Sequence, residues 1–276
     1  MLIEFKNKIF IGSDNRKSLF DCRIPKDAKA MIIFVHGYKG FKDWGAWNLM
    51  ENYFVDKGVG FVKFNMSHNG GTVDNPIDFD DLEAFGNNRY SYELNDLNII
   101  IAETKRMVEQ ECELEIPIFL LGHSRGGGIV ILGGDNHPDI EGIISLAGIS
   151  NIENRFPTDE ALEEWKETGY YTVFNGRTHQ EMPHYYSFYE DFIQHKGGLD
   201  IEKTASGLKK KFLQIHGDMD LAVSISEGLL LARWTETEIE IIKGADHVFG
   251  SSHPWITKEL PYDLKLALEK IFKFIT

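Results

Sequence analysis

The sequence predicts an α/β fold, a mostly parallel sheet covered on both faces, and three observations predict it. Continuous apolar runs rich in branched residues recur at 31–36, 59–64, 116–121 and 140–146, with amphipathic segments between them. Strands hidden on both faces need such runs, and their alternation with helices favours parallel pairing. The run at 116–121 meets Gly122-His123-Ser124-Arg125-Gly126 and then an apolar segment from Ile129, which reads as strand, abrupt turn, helix. Between about 151 and 207 the alternation stops and aromatic and charged residues crowd together, predicting a helical cap inserted in the plan.

Taken in order, the first 30 residues alternate weakly and suggest one or two antiparallel strands. Residues 31–36 form the first core strand, ending in Gly37-Tyr38-Lys39-Gly40, and a helix follows over 47–57. The strand at 59–64 opens into a polar loop over 65–88, rich in Gly, Asp and Asn. Apolar Leu94, Leu97, Ile101 and Val108 at helical spacing predict an amphipathic helix over 92–110. After the cap, strands at 212–216 and 238–242 alternate with helices at 226–234 and 262–275. The whole chain, 1–276, reads as one domain carrying the cap.

The turn at Ser124 is the chemical centre of this reading. Flanking glycines let strand and helix pass close to it, so the serine sits on strained backbone with its hydroxyl pushed out above the sheet. A hydroxyl is a poor nucleophile near neutral pH and needs a base, and the base needs an acid to orient it. Of ten histidines, His247 follows the last predicted strand, on a loop that can return to the turn. His36 and His216, also at strand ends, read as packed or hydrogen-bonded structural residues. The acid comes from the loop after the penultimate strand, which offers Asp218 and Asp220. Asp220 is preferred because Asp218 adjoins the strand end and can simply cap the turn, while Asp246 fixes the loop beside the base. Backbone N–H groups of Tyr38 and Arg125 are the candidate donors to an oxyanion.

Composition narrows the partners. A formal charge of −14 argues against nucleic acid and anionic membrane surfaces, because phosphate binding needs clustered Lys and Arg. Cys22 and Cys112 lie far apart and suggest neither a metal pair nor a disulfide framework. Charges run through the N-terminal stretch where the apolar core of an export signal would lie, and no window approaches a membrane span, so a soluble cytoplasmic protein is expected.

Together Gly122-His-Ser-Arg-Gly126, His36-Gly37, the Gly217 to Val223 loop with Asp220, and Gly244-Ala-Asp-His247 resemble the α/β-hydrolase superfamily from about residue 30 to the end. The order Ser124, Asp220, His247 is that of this architecture. Within it the chain is similar to dienelactone-hydrolase-like and prolyl-oligopeptidase-like carboxylesterases. The resemblance implies ester hydrolysis through an acyl-enzyme, without metal or organic cofactor, on a small-molecule ester. Two departures count: a serine stands where true dienelactone hydrolases carry cysteine, and no stretch of these 276 residues reads as the propeller of the large oligopeptidases. Amide or peptide hydrolysis on the same fold, and a non-catalytic module using the capped pocket as a receptor, are the alternative readings.

Overall fold

The computed structural model describes residues 2–111, 115–135 and 137–276, so Cys112 lies outside the described residues. The strands are β1 (Leu2–Ile11), β2 (Lys17–Pro25), β3 (Met31–Val35), β4 (Gly60–Phe64), β5 (Ile118–His123), β6 (Ile140–Leu146), β7 (Tyr170–Asn175), β8 (Gln180–Tyr185), β9 (Lys211–Gly217) and β10 (Ile239–Ile242). Eight of them form one sheet in the order β1-β2-β4-β3-β5-β6-β9-β10. The expected antiparallel start is there: β1 pairs with β2, and β2 pairs antiparallel with β4. Every pairing from β4 onward across the sheet is parallel.

The helices are α1 (Trp47–Val55), α2 (Leu82–Gly86), α3 (Tyr90–Glu111), α4 (Arg125–Gly134), α5 (Asp159–Thr168), α6 (Ser187–His195), α7 (Ile201–Ser206), α8 (Ile225–Trp234) and α9 (Tyr262–Ile275). Two separate cores show why the central strands are largely apolar. Ile33, Leu120 and Ile143 face one way and pack with Leu97 of α3, Ile129 of α4 and Leu231 of α8. Their neighbours Ile32, Leu121 and Ile144 face the other way, onto Met50 and Phe54 of α1 and Leu264 and Leu268 of α9. Side chains alternate across a strand, so the central strands of a sheet covered twice are hydrophobic at most positions, and the buried Lys63 of β4 is kept there by pairing with Asp21, Asp43 and Glu51. Each fully buried side chain of this size contributes about 1.5–3 kcal/mol.

Three details differ from the sequence-based expectations. Helix α4 begins at Arg125 rather than at Ile129, because the three glycines at 126–128 are helical. The loop over 65–88 contains the short helix α2, capped by the Asp81 carboxylate accepting from the Ala84 N–H. The cap is not wholly helical: β7 and β8 pair as an antiparallel hairpin between α5 and α6. No helix among the described residues is long and apolar enough to cross a membrane.

Close backbone approach explains the glycines around the turn. A side-chain carbon at Gly126 would run into the carbonyl oxygens of Val35 and His36, and one at Gly122 into the Gly126 carbonyl. These are backbone atoms and cannot swing aside. Gly126→Ala is therefore expected to lower the unfolding free energy by about 1–3 kcal/mol, the usual cost of overpacking, read from the shift of a urea denaturation midpoint. An unchanged midpoint would mean that α4 is free to move off the sheet.

Candidate active site

Ser124 lies between β5 and α4 with φ 57° and ψ −119°, a backbone conformation that an L-residue adopts only under constraint. Its N–H donates to the Leu146 carbonyl of the neighbouring strand (3.0 Å), while its own carbonyl accepts from Gly127 and Ile149. The main chain is thus pinned on both sides and the side chain is left pointing outward. Ser124 Oγ stands 3.0 Å from His247 Nε2, and His247 Nδ1 stands 2.8 Å from Asp220 Oδ2. The structure brings together the three side chains selected from the sequence.

Asp220 is the better anchored of the two candidate acids. Its Oδ1 accepts from the N–H groups of Ala222 (2.9 Å) and Val223 (2.8 Å), and its Oδ2 also lies 3.3 Å from His216 Nε2. Burial alone would push its carboxyl up, but hydrogen bonds from His216, His247 and Val223 hold it well below the usual carboxylate range. Asp218 instead accepts from the Gly244 N–H in an exposed turn. Asp246 accepts from Val248 and Gly250 and shapes the loop that carries His247.

The Tyr38 loop is fixed from behind. His36 Nδ1 donates to the Gly37 carbonyl (2.9 Å) and its Nε2 accepts from the Met66 N–H (3.1 Å), so both ring nitrogens are committed to the neutral form. Gly37 packs against Ser124, where a side-chain carbon would come within 2.9 Å of Ser124 Cβ. Neither the Tyr38 nor the Arg125 N–H donates to a main-chain carbonyl among the described residues. The Tyr38 hydroxyl is 2.7 Å from His184 Nε2 on β8, which ties the cap to this loop.

Two chambers meet at the serine. One, of about 410 Å³, is walled by Ile149, Val223, Tyr171, Phe188, Arg125 and Arg155. The other, of about 300 Å³, runs between Trp44, Trp47, Lys39 and Arg177. Tyr38, Ser124 and His247 border both. Volumes of this size suit small organic ligands. Among the described residues no group of three or more His, Cys, Asp or Glu side chains is disposed to hold a metal ion.

With this geometry in view, comparison with known proteins is informative about architecture. By sequence, the chain matches no protein-family model and no curated protein. By structure it is similar to a putative hydrolase from Agrobacterium vitis S4, with 17% identity, all of both chains covered and a TM-score of 0.73. It is also similar to Est1E from Butyrivibrio proteoclasticus in a structure with ferulic acid bound, with 18% identity, 97% of each chain covered and a TM-score of 0.71. Mouse alpha/beta hydrolase domain-containing protein 10 superposes with a TM-score of 0.67 over 97% of each chain at 18% identity. The chain has the α/β-hydrolase fold.

Histidines other than His247 surround this site: His36 and His216, which the sequence reads as packed or hydrogen-bonded, and His68, His123 and His184, to which it gives no role. His123, the middle residue of the turn, donates from Nε2 to the His247 carbonyl (2.8 Å), and its ring lies 4.9 Å from the His247 ring. His216 braces Asp220, and its Nε2 donates to the Val223 carbonyl (2.9 Å). Only the positions of His36 and His216, at strand ends ahead of glycine, hinted at such contacts.

Burial depresses four of these rings, His36 and His68 to about 4 and His123 and His184 to about 3, with the neighbouring His247 adding to the effect at His123. In the unfolded chain they titrate near 6.5. The unfolded state therefore binds more protons below that value, and the stability these rings contribute is complete above pH 6.5 and lost as the pH falls toward 4. Burial raises the carboxyls of Glu51, Glu93 and Asp96, which works in the opposite sense, so the test is a difference. Between pH 6 and 4, His123→Gln is expected to unfold with a pH slope shallower than the parent by about 1.4 kcal/mol per unit, one proton's worth. Parallel slopes in urea titrations of the two proteins would contradict a neutral His123.

Proposed function

We propose that the protein is a serine hydrolase that cleaves carboxylic esters through an acyl-enzyme. The observation that carries this reading is the hydrogen-bonded line from Ser124 through His247 to Asp220, beginning on strained backbone where two chambers meet. As Ser124 Oγ bonds to the ester carbonyl carbon, its proton passes to His247 Nε2. Asp220 keeps the imidazole in the tautomer with Nδ1 protonated and stabilises the cation that forms. The negative charge on the former carbonyl oxygen is met by the N–H groups of Tyr38 and Arg125.

Collapse of this intermediate breaks the bond to the alcohol oxygen, which takes the proton from His247 Nε2 and leaves. Water then repeats the sequence: Nε2 accepts its proton, its oxygen adds to the acyl carbon, and the carboxylic acid departs as Ser124 regains its proton. Each step uses side chains or main-chain donors of this chain and calls for no cofactor. The two chambers suit the acyl and alcohol parts of an ester lying astride Ser124, and the hydrolase names of two structural neighbours agree with this chemistry.

Ser124→Ala is expected to abolish turnover of short 4-nitrophenyl esters while leaving the thermal midpoint nearly unchanged or raised, since the strained serine loses only its hydroxyl. Asp220→Asn is expected to lower kcat by about 10⁴, the effect of presenting the wrong imidazole tautomer. Rapid labelling by a fluorophosphonate, lost in Ser124→Ala, separates the hydrolase from a binding module of the same fold. A parent protein that neither labels nor turns over esters would refute the proposal, and amide analogues assayed beside the esters decide between esterase and amidase.

A further inference from the structure

The chain carries a formal charge of −14, yet the charged side chains walling the two chambers at Ser124 are Lys39, Arg125, Arg155 and Arg177, with no Asp or Glu among the lining residues. In a protein with 43 acidic residues against 29 basic ones, that local reversal of sign needs a cause. The carboxylates that pair with the arginines stand outside the chamber walls. Arg125 Nη1 donates to Glu93 (3.2 Å), Arg155 pairs with Glu227, and Arg177 pairs with Asp78 (2.9 Å).

The larger chamber holds the more specific arrangement. The Arg125 guanidinium lies 4.5 Å from the ring centre of Tyr38, 5.2 Å from Tyr90 and 5.6 Å from Phe188. A guanidinium has five N–H donors, and that of Arg125 has a single side-chain acceptor, Glu93, among the described residues. Its side chain keeps 13% exposure, and it lines this chamber. Aromatic walls withhold water from the cation, which strengthens its attraction for an anion. Arg155, on the 3-10 turn Glu153–Arg155 that opens the cap, brings a second guanidinium to the same chamber. Ile149, Val173 and Val223 supply apolar wall there as well.

We infer that this chamber receives a free carboxylate, and that the substrate is an ester carrying such a group at a distance from the scissile bond, with an apolar spacer between the two. The inference rests on the hydrolase reading of Ser124. Charge-assisted pairing to a guanidinium supplies the selectivity.

The test uses matched esters. Mono-4-nitrophenyl adipate and suberate are compared with neutral 4-nitrophenyl esters of equal length, and 6-(hexanoyloxy)hexanoate is compared with its methyl ester, initial hexanoate release being read, for a carboxylate on the alcohol side. A preference in kcat/KM of about ten- to a hundredfold for the charged member of either pair is expected, shrinking as salt is raised. Arg155→Gln, on the cap surface, is expected to cut that ratio about tenfold, each ratio being taken within one protein. Equal or lower turnover of the charged member in both pairs would overturn the inference, as would a ratio that Arg155→Gln leaves intact. Fluorophosphonate labelling of Ser124 on the same preparation keeps the two failures apart. Without labelling the hydrolase reading fails, whereas labelling without charge preference sinks the carboxylate receptor alone.

Discussion

The Asp220 carboxylate is the fixed point of the site. It is 8% exposed and accepts from two main-chain N–H groups of its own loop, with two imidazoles at its other oxygen. Such a carboxylate remains ionised, because protonating it would forfeit several charge-assisted bonds in a place where water cannot replace them. The direction of the His247 ring follows from that anchor. A histidine on a loop between β10 and α9 would otherwise be free to rotate, and its distance to Ser124 would be an average rather than a position.

Ser124 is held by close packing in addition to its main-chain hydrogen bonds. Gly122 and Gly126 let β5 and α4 approach until only hydrogen atoms fit between their backbones, and the turn between them has no room to relax its positive φ. Parallel pairings with β3 and β6 hold β5 on both sides. Side-chain hydrogen bonds thus fix the proposed base, whereas close packing and main-chain hydrogen bonds together fix the proposed nucleophile. His123 joins the two systems, since it belongs to the turn and donates to the main chain of His247.

Much of this was legible in the sequence because the sheet is buried on both faces. Five consecutive buried residues in β3 or β4 have one reading, and α9 carries its apolar stripe over 262–275 as expected. The cap hairpin was hidden for two physical reasons. Tyr170 and Phe174 of β7 point outward while Tyr171 and Val173 are half-buried, so apolar residues occupy both faces and no alternation shows. Pro183 in β8 argues against a strand in any central position, but a two-stranded ribbon has open edges and tolerates it opposite Thr172. The start of α4 was misread because three successive glycines are poor helix formers. Tertiary crowding against β3 and the 147–149 segment demands them there. His36 and His216 were legible as hydrogen-bonded residues at strand ends, whereas the contact of His123 escaped because its partner is a main-chain carbonyl brought in from elsewhere in the chain.

Arg125 shows how little of a buried polar group's purpose lies in stability. Its ion pair with Glu93 is nearly sealed from water, the Glu93 side chain being 2% exposed. Two desolvated charges recover in mutual attraction roughly what they lose in hydration, so an apolar pair of equal volume would serve the core as well. An apolar pair would not fix direction. The guanidinium packs against the Tyr38 and Tyr90 rings and reaches Glu93 on α3, which ties the first residue of α4 to the Tyr38 loop and to α3. Because Tyr38 packs on that guanidinium, the two proposed oxyanion donors are held in register by one side chain. A leucine in its place could satisfy the packing and leave both N–H groups free to drift by the fraction of an ångström on which the strength of a charge-stabilising hydrogen bond depends.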